Sequence, residues 1–368
     1  MGTHRLPDPA IHASKPAANN RIAWIDAARG VSVAAIVLFH VVLWDYTPLT
    51  ANHDPYLDPL WQRQGEILGS VRIPMLLLLS GLLASSKIRS GFASPGALRS
   101  MAVNYYFYAL WLMIYFAVFL VIGIQVPHAF TTAGAFFREL LIPGTTLWYI
   151  FALVVYTFVL TLLHRVPAWL MLTVLLVMTI GLPETLGLDG MWAKIIHNLV
   201  FFAIGVYLAP LLRGAHTWLR WWHGLPLAVV AAGLLWSSGK LPWAAAGNLL
   251  YLCFSLAAAA LLLWGVILLC QIRMLRNFLT FIGTRTLSIY VLHAPLIYLL
   301  LFAEQKIWPS AIQDVAQNPM IMSIYPLVVT AAIIAVCLGL ERITRNTVPF
   351  LFRAPRWLAG ARNPERRS

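Results

Sequence analysis

The sequence predicts an all-α membrane protein with about ten transmembrane helices and both termini in the cytoplasm. Composition is the first reason, because 60% of the 368 residues are hydrophobic and only 11% are charged. Soluble domains are about half apolar and about a quarter charged. So few charges could not cover a water-exposed surface, which argues against soluble α/β enzymes. The net charge of +13 does not indicate nucleic-acid binding either, because the basic residues are spread over short loops.

Apolar runs are the second reason. A spanning helix needs about 20 mostly apolar residues. The runs that meet or approach this length are 22–44, 66–86, 100–125, 146–163, 167–182, 193–212, 225–239, 243–271, 286–303 and 320–341. The seventh run is short, and the stretch 272–285 could enter the membrane interface before the ninth.

The distribution of lysine and arginine gives the expected orientation. With the N-terminus inside, nineteen of the 26 basic residues fall on the cytoplasmic side, six fall outside, and Arg29 lies within a span. Cytoplasmic loops carry the excess of Lys and Arg in membrane proteins, so both termini are expected inside. The expected domains are a cytoplasmic tail at 1–21, a ten-helix membrane domain at 22–345 and a basic cytoplasmic tail at 346–368.

The first run contains two ionisable residues, Arg29 and His40, in the stretch RGVSVAAIVLFH. Ionisable side chains are costly in a bilayer and usually mark a pathway or a reaction centre. Over this separation a helix turns by about 1100° and rises by about 16 Å, so both side chains share one face. Asp26, three residues before Arg29, can form an ion pair with it. The alternative is an arginine that reaches the interface and a histidine bonded within the core.

Four segments together resemble the membrane acyltransferase 3 family, and more narrowly its fucose 4-O-acetylase-like branch. The segments are IDAARGVSVAAIVLFH (25–40), RIPMLLLLSGLLASSKIRSG (72–91), LWYIFALVVY (147–156) and IGTRTLSIYVLHAPLI (282–297). In the second of these, Ser80-Gly81 indicates close helix packing or a serine-lined path. One departure is that the family's Arg-x-x-Arg pair at the inner start of the third helix is reduced here to Arg99, with Ala102 in the second position.

This resemblance implies transfer of an acyl group, usually acetyl, from cytoplasmic acyl-CoA to a carbohydrate hydroxyl outside the cytoplasm. The acceptor would be a cell-surface or exported polysaccharide or its lipid-linked precursor. Acetyl-CoA would serve as a co-substrate, with no permanently bound cofactor and no metal. The expected partners are acyl-CoA, the carbohydrate or lipid-linked glycan and membrane lipid, without nucleic acid. The expected location is the bacterial cytoplasmic (inner) membrane.

The catalytic residues expected from the first run are His40, Arg29 and Asp26. A sugar hydroxyl needs a base whose pKa lies near the working pH, which histidine provides. His40 would either remove the hydroxyl proton or carry the acyl group covalently, and the sequence leaves both open. The donor phosphates would be held by Arg29, with Arg99, Lys87 and Arg89 as further candidates. Positive-inside anchoring explains the last three equally well.

His293 in the ninth run is expected either to bind the pantetheine arm of the donor or to form a helix–helix hydrogen bond. The expected acceptor-binding residues are Arg72, Glu66, Trp148 and Tyr149. Arg72 would polarise the thioester carbonyl or bind acceptor oxygens, unless it reaches the outer surface. The two aromatic residues would stack on sugar rings or belong to an interfacial belt.

Asp45 or Glu66 could orient His40, or be loop charges. A metal site is not expected, because no His, Asp or Glu cluster has ligand spacing. The main alternative function is a transporter or flippase of a lipid-linked sugar, which ten spans with intramembrane charges would also suit.

Overall fold

The computed structural model describes residues 23–50, 57–185, 190–237 and 244–359, and every regular element within these ranges is helical. The α-helices are α1 (Ala23–Val41), α2 (Thr47–Thr50), α3 (Leu57–Arg89), α4 (Pro95–Ile122), α5 (Ala133–Glu139), α6 (Trp148–Leu162), α7 (Ala168–Thr185), α8 (Gly190–Tyr207), α9 (Ala209–Arg213), α10 (Ala215–Trp218), α11 (Gly224–Ser237), α12 (Ala244–Leu269), α13 (Arg273–Gly283), α14 (Thr286–Lys306), α15 (Pro309–Ala316), α16 (Pro319–Thr347) and α17 (Arg356–Ala359). The predicted all-α class is confirmed, and the expected N-terminal tail lies outside the described residues.

Seven helices in the described ranges are long and apolar enough to cross a bilayer. They correspond to the first, second, third, sixth, eighth, ninth and tenth predicted runs. The remaining runs form α6, α7 and α11, whose apolar stretches are shorter. The 15 residues of α6, for example, rise by about 22 Å against a hydrocarbon core of about 30 Å. The protein is therefore multi-pass, while the count of ten and the orientation stay predictions.

The first membrane helix is longer than its apolar pattern indicates. α1 continues without a break through a π-helical turn, Val42–Tyr46, into α2, so the helix runs to Thr50 rather than to residue 44. Single π-helical turns inside α-helices are frequent at functional sites. This turn begins two residues after His40, which places the predicted base beside a local change in helix winding.

Glycines allow two helix backbones, those of α3 and α8, to touch. A β-carbon at Gly81 would collide with the carbonyl oxygen of Phe202, and one at Gly205 would collide with that of Leu78. Close approach through small residues is typical of membrane helix pairs. The close packing predicted for Gly81 is confirmed, and it fixes the adjacent Ser80 on the inner side of α3.

The amphipathic helix α13 packs in the same way against the start of α1. A β-carbon at Gly283 would collide with the carbonyl oxygen of Asp26, and one at Gly30 would collide with that of Leu279. The turn from α13 into α14 is therefore held against the first turns of α1. This contact brings the N-terminal end of α14 to the level of Arg29.

The segment after α16 packs on α4. The α16 helix ends at Thr347, two residues beyond the expected domain boundary. In the short 3₁₀ turn Pro349–Leu351, the carbonyl of Leu351 accepts a hydrogen bond of 3.0 Å from the indole of Trp111. The first part of the expected C-terminal tail therefore belongs to the helical body, and residues 360–368 lie outside the described residues.

Candidate active site

Arg29 is held between its own helix and α14. Its Nη2 donates a hydrogen bond of 2.7 Å to Thr286 Oγ1, and its Nη1 lies 3.9 Å from Asp26 Oδ1. The ion pair expected from the i,i+3 spacing is therefore present. Asp26 is buried, whereas the Arg29 side chain is 25% exposed, so the guanidinium reaches an open space.

That space is a cavity of about 230 Å³ between α1, α3, α4, α6 and α14. Its walls are Arg29, Val33, Leu76, Ser80, Asn104, Phe107, Tyr149, Ile150, Leu153, Thr286, Leu287 and Tyr290. A smaller pocket of about 150 Å³ shares Arg29, Ser80, Asn104 and Leu153 with it and extends to Lys87 and Ser100. The two spaces adjoin at Arg29, so a path leads from the Lys87 end of α3 to Tyr290.

His40 and His293 form a pair between α1 and α14. His40 Nδ1 lies 2.9 Å from the carbonyl oxygen of Ile36 and 3.2 Å from His293 Nε2. His293 is fully buried, and its Nδ1 lies 2.7 Å from the carbonyl oxygen of Tyr290. Since Arg29 also contacts α14, the predicted common face of Arg29 and His40 is confirmed.

The hydrogen-bond partners assign the protons of this pair. A carbonyl oxygen only accepts, so each Nδ1 that contacts one carries a hydrogen. His293 Nε2 is then an acceptor, and it shares the Nδ1 hydrogen of His40 with the Ile36 carbonyl. The remaining His40 nitrogen, Nε2, keeps its lone pair, and no residue in the described ranges bonds to it. The His40 ring is thus held through Nδ1 by Ile36 and His293, and its Nε2 is a free acceptor.

Aromatic rings surround the histidine pair. The Trp44 ring centroid lies 4.4 Å from that of His40, and Tyr298 stacks on Trp44 at 5.4 Å with an interplanar angle of 26°. His128 lies on another side of Trp44, at 6.2 Å. This cluster gives His40 an aromatic wall with polar edges.

Two cations, the buried Arg72 and the exposed Lys194, lie near the same pair. Arg72 is 7% exposed; its Cζ lies 3.3 Å above the Phe39 ring, and its Nε and Nη1 have no hydrogen-bond partner. Lys194 Nζ lies 4.5 Å from the Trp148 ring. The positive charges of Arg72 and Lys194 both interact electrostatically with the His40 ring. No salt bridge in the described part of the chain joins either cation to a carboxylate.

Burial of a cation without a counter-charge is costly. Such residues inside membrane proteins are functional by default. The unpartnered nitrogens of Arg72 are available to an anionic or electron-rich group of a substrate.

The cavity and the histidine pair are adjacent but not continuous. Tyr290 lines the cavity, and its ring centroid lies 5.9 Å from that of His293. Neither His293 nor His40 belongs to the cavity wall. The open space therefore reaches from Arg29 to Tyr290, and the His293 side chain lies between the end of this space and His40.

The other expected donor-binding residues have different surroundings. Lys87 donates a 3.1 Å hydrogen bond to Ser100 and lines the smaller pocket. Arg89 donates a 2.9 Å hydrogen bond to the carbonyl oxygen of Tyr207, at the C-terminal end of α8. Arg99 is exposed and lines neither of these two spaces. Of the three, Lys87 is therefore the one that lies on the path to Arg29.

The expected acceptor-binding residues also lie in different surroundings. Tyr149 lines the cavity, where its hydroxyl is 2.7 Å from Ser80 Oγ, so it lies on the Arg29 side of the histidine pair. Trp148 contacts Lys194. The side chain of Glu66 lies outside the described residues, although its backbone is part of α3.

Asp45 is fully buried and does not orient His40. The Tyr325 hydroxyl lies 3.1 Å from Asp45 Oδ2 and 3.0 Å from Glu304 Oε1, so this carboxylate belongs to a separate group. Within residues 23–50, 57–185, 190–237 and 244–359, no three His, Cys, Asp or Glu side chains are arranged to hold a metal ion.

Sequence reasoning missed Trp44, Lys194 and Thr286 as members of the site. Trp44 follows His40 by four residues, a helical spacing that places the two side chains together and could have indicated it. Lys194 was counted only as a charge that orients the chain. Nothing in the local pattern pairs Thr286 with Arg29, because the contact depends on how α14 packs against α1.

Comparison with known proteins identifies one relationship. A protein-family model, acyltransferase family 3, described as an acyltransferase domain, matches residues 22–342. That range includes the cavity, both histidines, Arg72 and Lys194. No curated protein and no solved structure matches the chain significantly.

Proposed function

The chain belongs to acyltransferase family 3 and is a multi-pass membrane protein, and from this premise we propose that it uses acyl-CoA as its donor. The acyl group is acetyl, and the acceptor is a hydroxyl of a cell-surface or exported polysaccharide or of its lipid-linked precursor. The donor enters from the cytoplasm, and the acceptor is modified near the opposite side of the bacterial inner membrane.

The observation that carries this proposal is the cavity between Arg29 and Tyr290, which has both polar and apolar walls and stops beside the His293–His40 pair. The pantetheine arm of CoA is long, thin and partly polar, which suits a narrow space lined by hydroxyl, amide and apolar groups. Arg29 and His40 differ in height by about 16 Å along α1. An acyl-CoA with its nucleotide at the Arg29 end would bring its thioester towards the histidines once His293 and Tyr290 adjust.

His40 Nε2 is the base in the proposed reaction. It takes the proton of the acceptor hydroxyl while that oxygen attacks the thioester carbonyl carbon. The carbon–sulfur bond then breaks, the ester is released, and the CoA thiolate leaves with the proton that His40 returns. A relay through acyl-His40 would use the same nitrogen, because Nδ1 is occupied by Ile36 and His293.

Arg72 and Trp44 supply the acceptor side of this scheme. The two free guanidinium nitrogens of Arg72 can stabilise the negative charge that develops on the carbonyl oxygen. Such electrostatic stabilisation is the largest contribution to catalysis in many acyl transfers. Trp44 and Tyr298 present ring faces beside His40 on which a sugar can lie. Lys194 adds a second positive charge to this half of the site.

The proposal is tested by the O-acetyl content of cell-surface glycans in cells with the wild-type protein, without it, and with His40→Ala. We expect the O-acetyl group to be lost in the last two, with the His40→Ala protein present at the wild-type level. His216→Ala is the control, since this histidine is exposed in the short helix α10 and should leave acetylation intact.

Reconstituted protein separates this function from a transporter. An acyltransferase consumes acetyl-CoA only when an acceptor is present, and His40→Ala stops the consumption. Movement of a lipid-linked sugar across the vesicle membrane without acetyl-CoA consumption would instead establish the transporter and overturn the proposed function.

A further inference from the structure

A second, larger pocket lies at the Arg29 end of the helical bundle. It has a volume of about 430 Å³ and is lined by Thr284, Arg285, Leu287, Ser288, Glu341, Arg345, Pro349, Phe352 and Arg353. These residues come from the start of α14, the end of α16 and the turn that follows α16. None of them was predicted as part of a site.

Three arginines and one glutamate give the pocket a positive charge. Arg285 is fixed in the wall, because its Nε lies 3.4 Å from Glu341 Oε2 and its Nη1 donates a 3.0 Å hydrogen bond to the Phe281 carbonyl. Arg345 and Arg353 are exposed, and neither side chain makes a hydrogen bond or an ion pair within the described ranges. Two guanidinium groups therefore remain available to a ligand from the aqueous side.

The pocket adjoins the cavity of the active site. Leu287 lines both spaces, and Thr286, between Arg285 and Leu287, holds Arg29. A ligand that filled the larger pocket would therefore end next to the Arg29 end of the cavity. An elongated molecule could occupy both.

Size favours this pocket over the one beside Lys87 as the place for a nucleotide. Pockets that bury a ligand of drug or cofactor size measure about 300–1,000 Å³. The larger pocket, at about 430 Å³, falls within this range, whereas the space beside Lys87, at about 150 Å³, does not. The space beside Lys87 contains two cations, Lys87 and Arg29. Of these, Arg29 already contacts Asp26 and Thr286. The larger pocket contains three arginines, which suits a nucleotide with three phosphate groups better.

An aromatic side chain completes the pocket. The Phe352 ring lies 5.6 Å from that of Trp111, whose indole nitrogen also binds the Leu351 carbonyl at 3.0 Å. The segment is therefore tied to α4, and Phe352 belongs to the same pocket wall as the arginines. A purine base can stack on such a ring.

We propose that this pocket binds the 3′-phosphoadenosine diphosphate part of the acyl-CoA donor, with Arg345 and Arg353 on its phosphates and Phe352 against its adenine. This assignment rests on the proposed function, since it requires acyl-CoA to be the donor. Arginine suits this role because its planar fork binds phosphate oxygens in pairs. The pantetheine arm would leave the pocket past Leu287 and enter the cavity beside Arg29.

The test is direct binding of CoA to purified protein in nanodiscs of neutral lipid. The double variant Arg345→Ala/Arg353→Ala should raise the Kd for CoA about tenfold or more, because it removes two charge-assisted contacts. The matched control is Arg342→Ala/Arg356→Ala, which removes two exposed arginines from the same segments without altering the pocket wall. The control should bind CoA within about twofold of the wild type.

The 3′-dephosphorylated form of CoA gives the second arm of the test. It should bind the wild type more weakly than CoA does, and this preference should shrink in the double variant. Equal binding of CoA by the double variant and the wild type overturns the pocket assignment alone. Absence of CoA binding by the wild type overturns both the assignment and the proposed donor.

Anionic lipid is the other source of phosphate, and a repeat in nanodiscs with phosphatidylglycerol distinguishes it. If the pocket holds the donor, the ratio of the two Kd values stays about the same in both lipids. If lipid phosphate is the true occupant, the double variant loses anionic lipid but keeps its affinity for CoA, which contradicts the assignment.

Discussion

Replacement of His293 tests how the base of the proposed reaction is oriented. His293 Nε2 accepts from His40 Nδ1 at 3.2 Å, and this hydrogen bond becomes charge-assisted when His40 holds the proton in the transition state. Loss of a hydrogen bond to a charged group costs about 1.5–3 kcal/mol. At a factor of ten for each 1.36 kcal/mol, His293→Ala should lower kcat by about 10- to 150-fold.

The assay is steady-state release of CoA from acetyl-CoA by reconstituted protein, with kcat and KM measured separately. His293→Gln is the informative companion, because its side-chain oxygen can accept from His40 Nδ1 and should restore part of kcat. The KM for acetyl-CoA should change little in either variant. An unchanged kcat with a raised KM would refute this reasoning, and it would support the other expectation for His293, contact with the pantetheine arm.

Three further predictions concern packing, charge and pH. Gly81→Ala should destabilise the protein by about 1–3 kcal/mol through collision with Phe202, whereas Gly69→Ala in the same helix, which has open space, should be nearly neutral in thermal unfolding. Arg72→Met should raise the melting temperature by removal of an unpartnered buried charge, yet lower kcat about 100-fold, and a lowered melting temperature at normal kcat would contradict this. Burial and the positive charge of Lys194 lower the pKa of His128 from its ordinary 6.5. The contribution of neutral His128 to stability is therefore complete above about pH 6.5, and it is lost as the pH falls because the unfolded chain binds the proton more readily. His128→Asn, which suits the positive φ of 64°, should therefore lose less stability than the wild type between about pH 7 and pH 5 in thermal unfolding.

Much of the fold follows from local patterns. Long apolar runs predicted the seven long helices, because a bilayer demands both length and apolarity. The first helix extends beyond its prediction because the π-helical turn carries Asp45, whose carboxylate accepts a hydrogen bond from Tyr325 inside the protein. A hydropathy pattern does not contain that partner, so it ends the helix too early.

Contacts within the candidate site were predictable only where both residues of a pair lie on the same helix. The Arg29–Asp26 ion pair and the common face of Arg29 and His40 follow from helical spacing. The bond between His40 and His293, by contrast, depends on how α1 and α14 pack. The same holds for Tyr149, whose hydroxyl lies 2.7 Å from Ser80 Oγ because α6 packs against α3. Contacts between distant segments are set by packing, and a single sequence does not specify which faces meet.

The most direct test of the central claim is transfer of the acetyl group across a sealed membrane. Radiolabelled acetyl-CoA is enclosed in vesicles on the side of the Arg29 end, and the carbohydrate acceptor is supplied on the other side. The wild-type protein should place the label on the external acceptor, and His40→Ala should place none there while CoA binding is retained. Labelling of the acceptor by His40→Ala at the wild-type rate would contradict the assignment of His40 as the base.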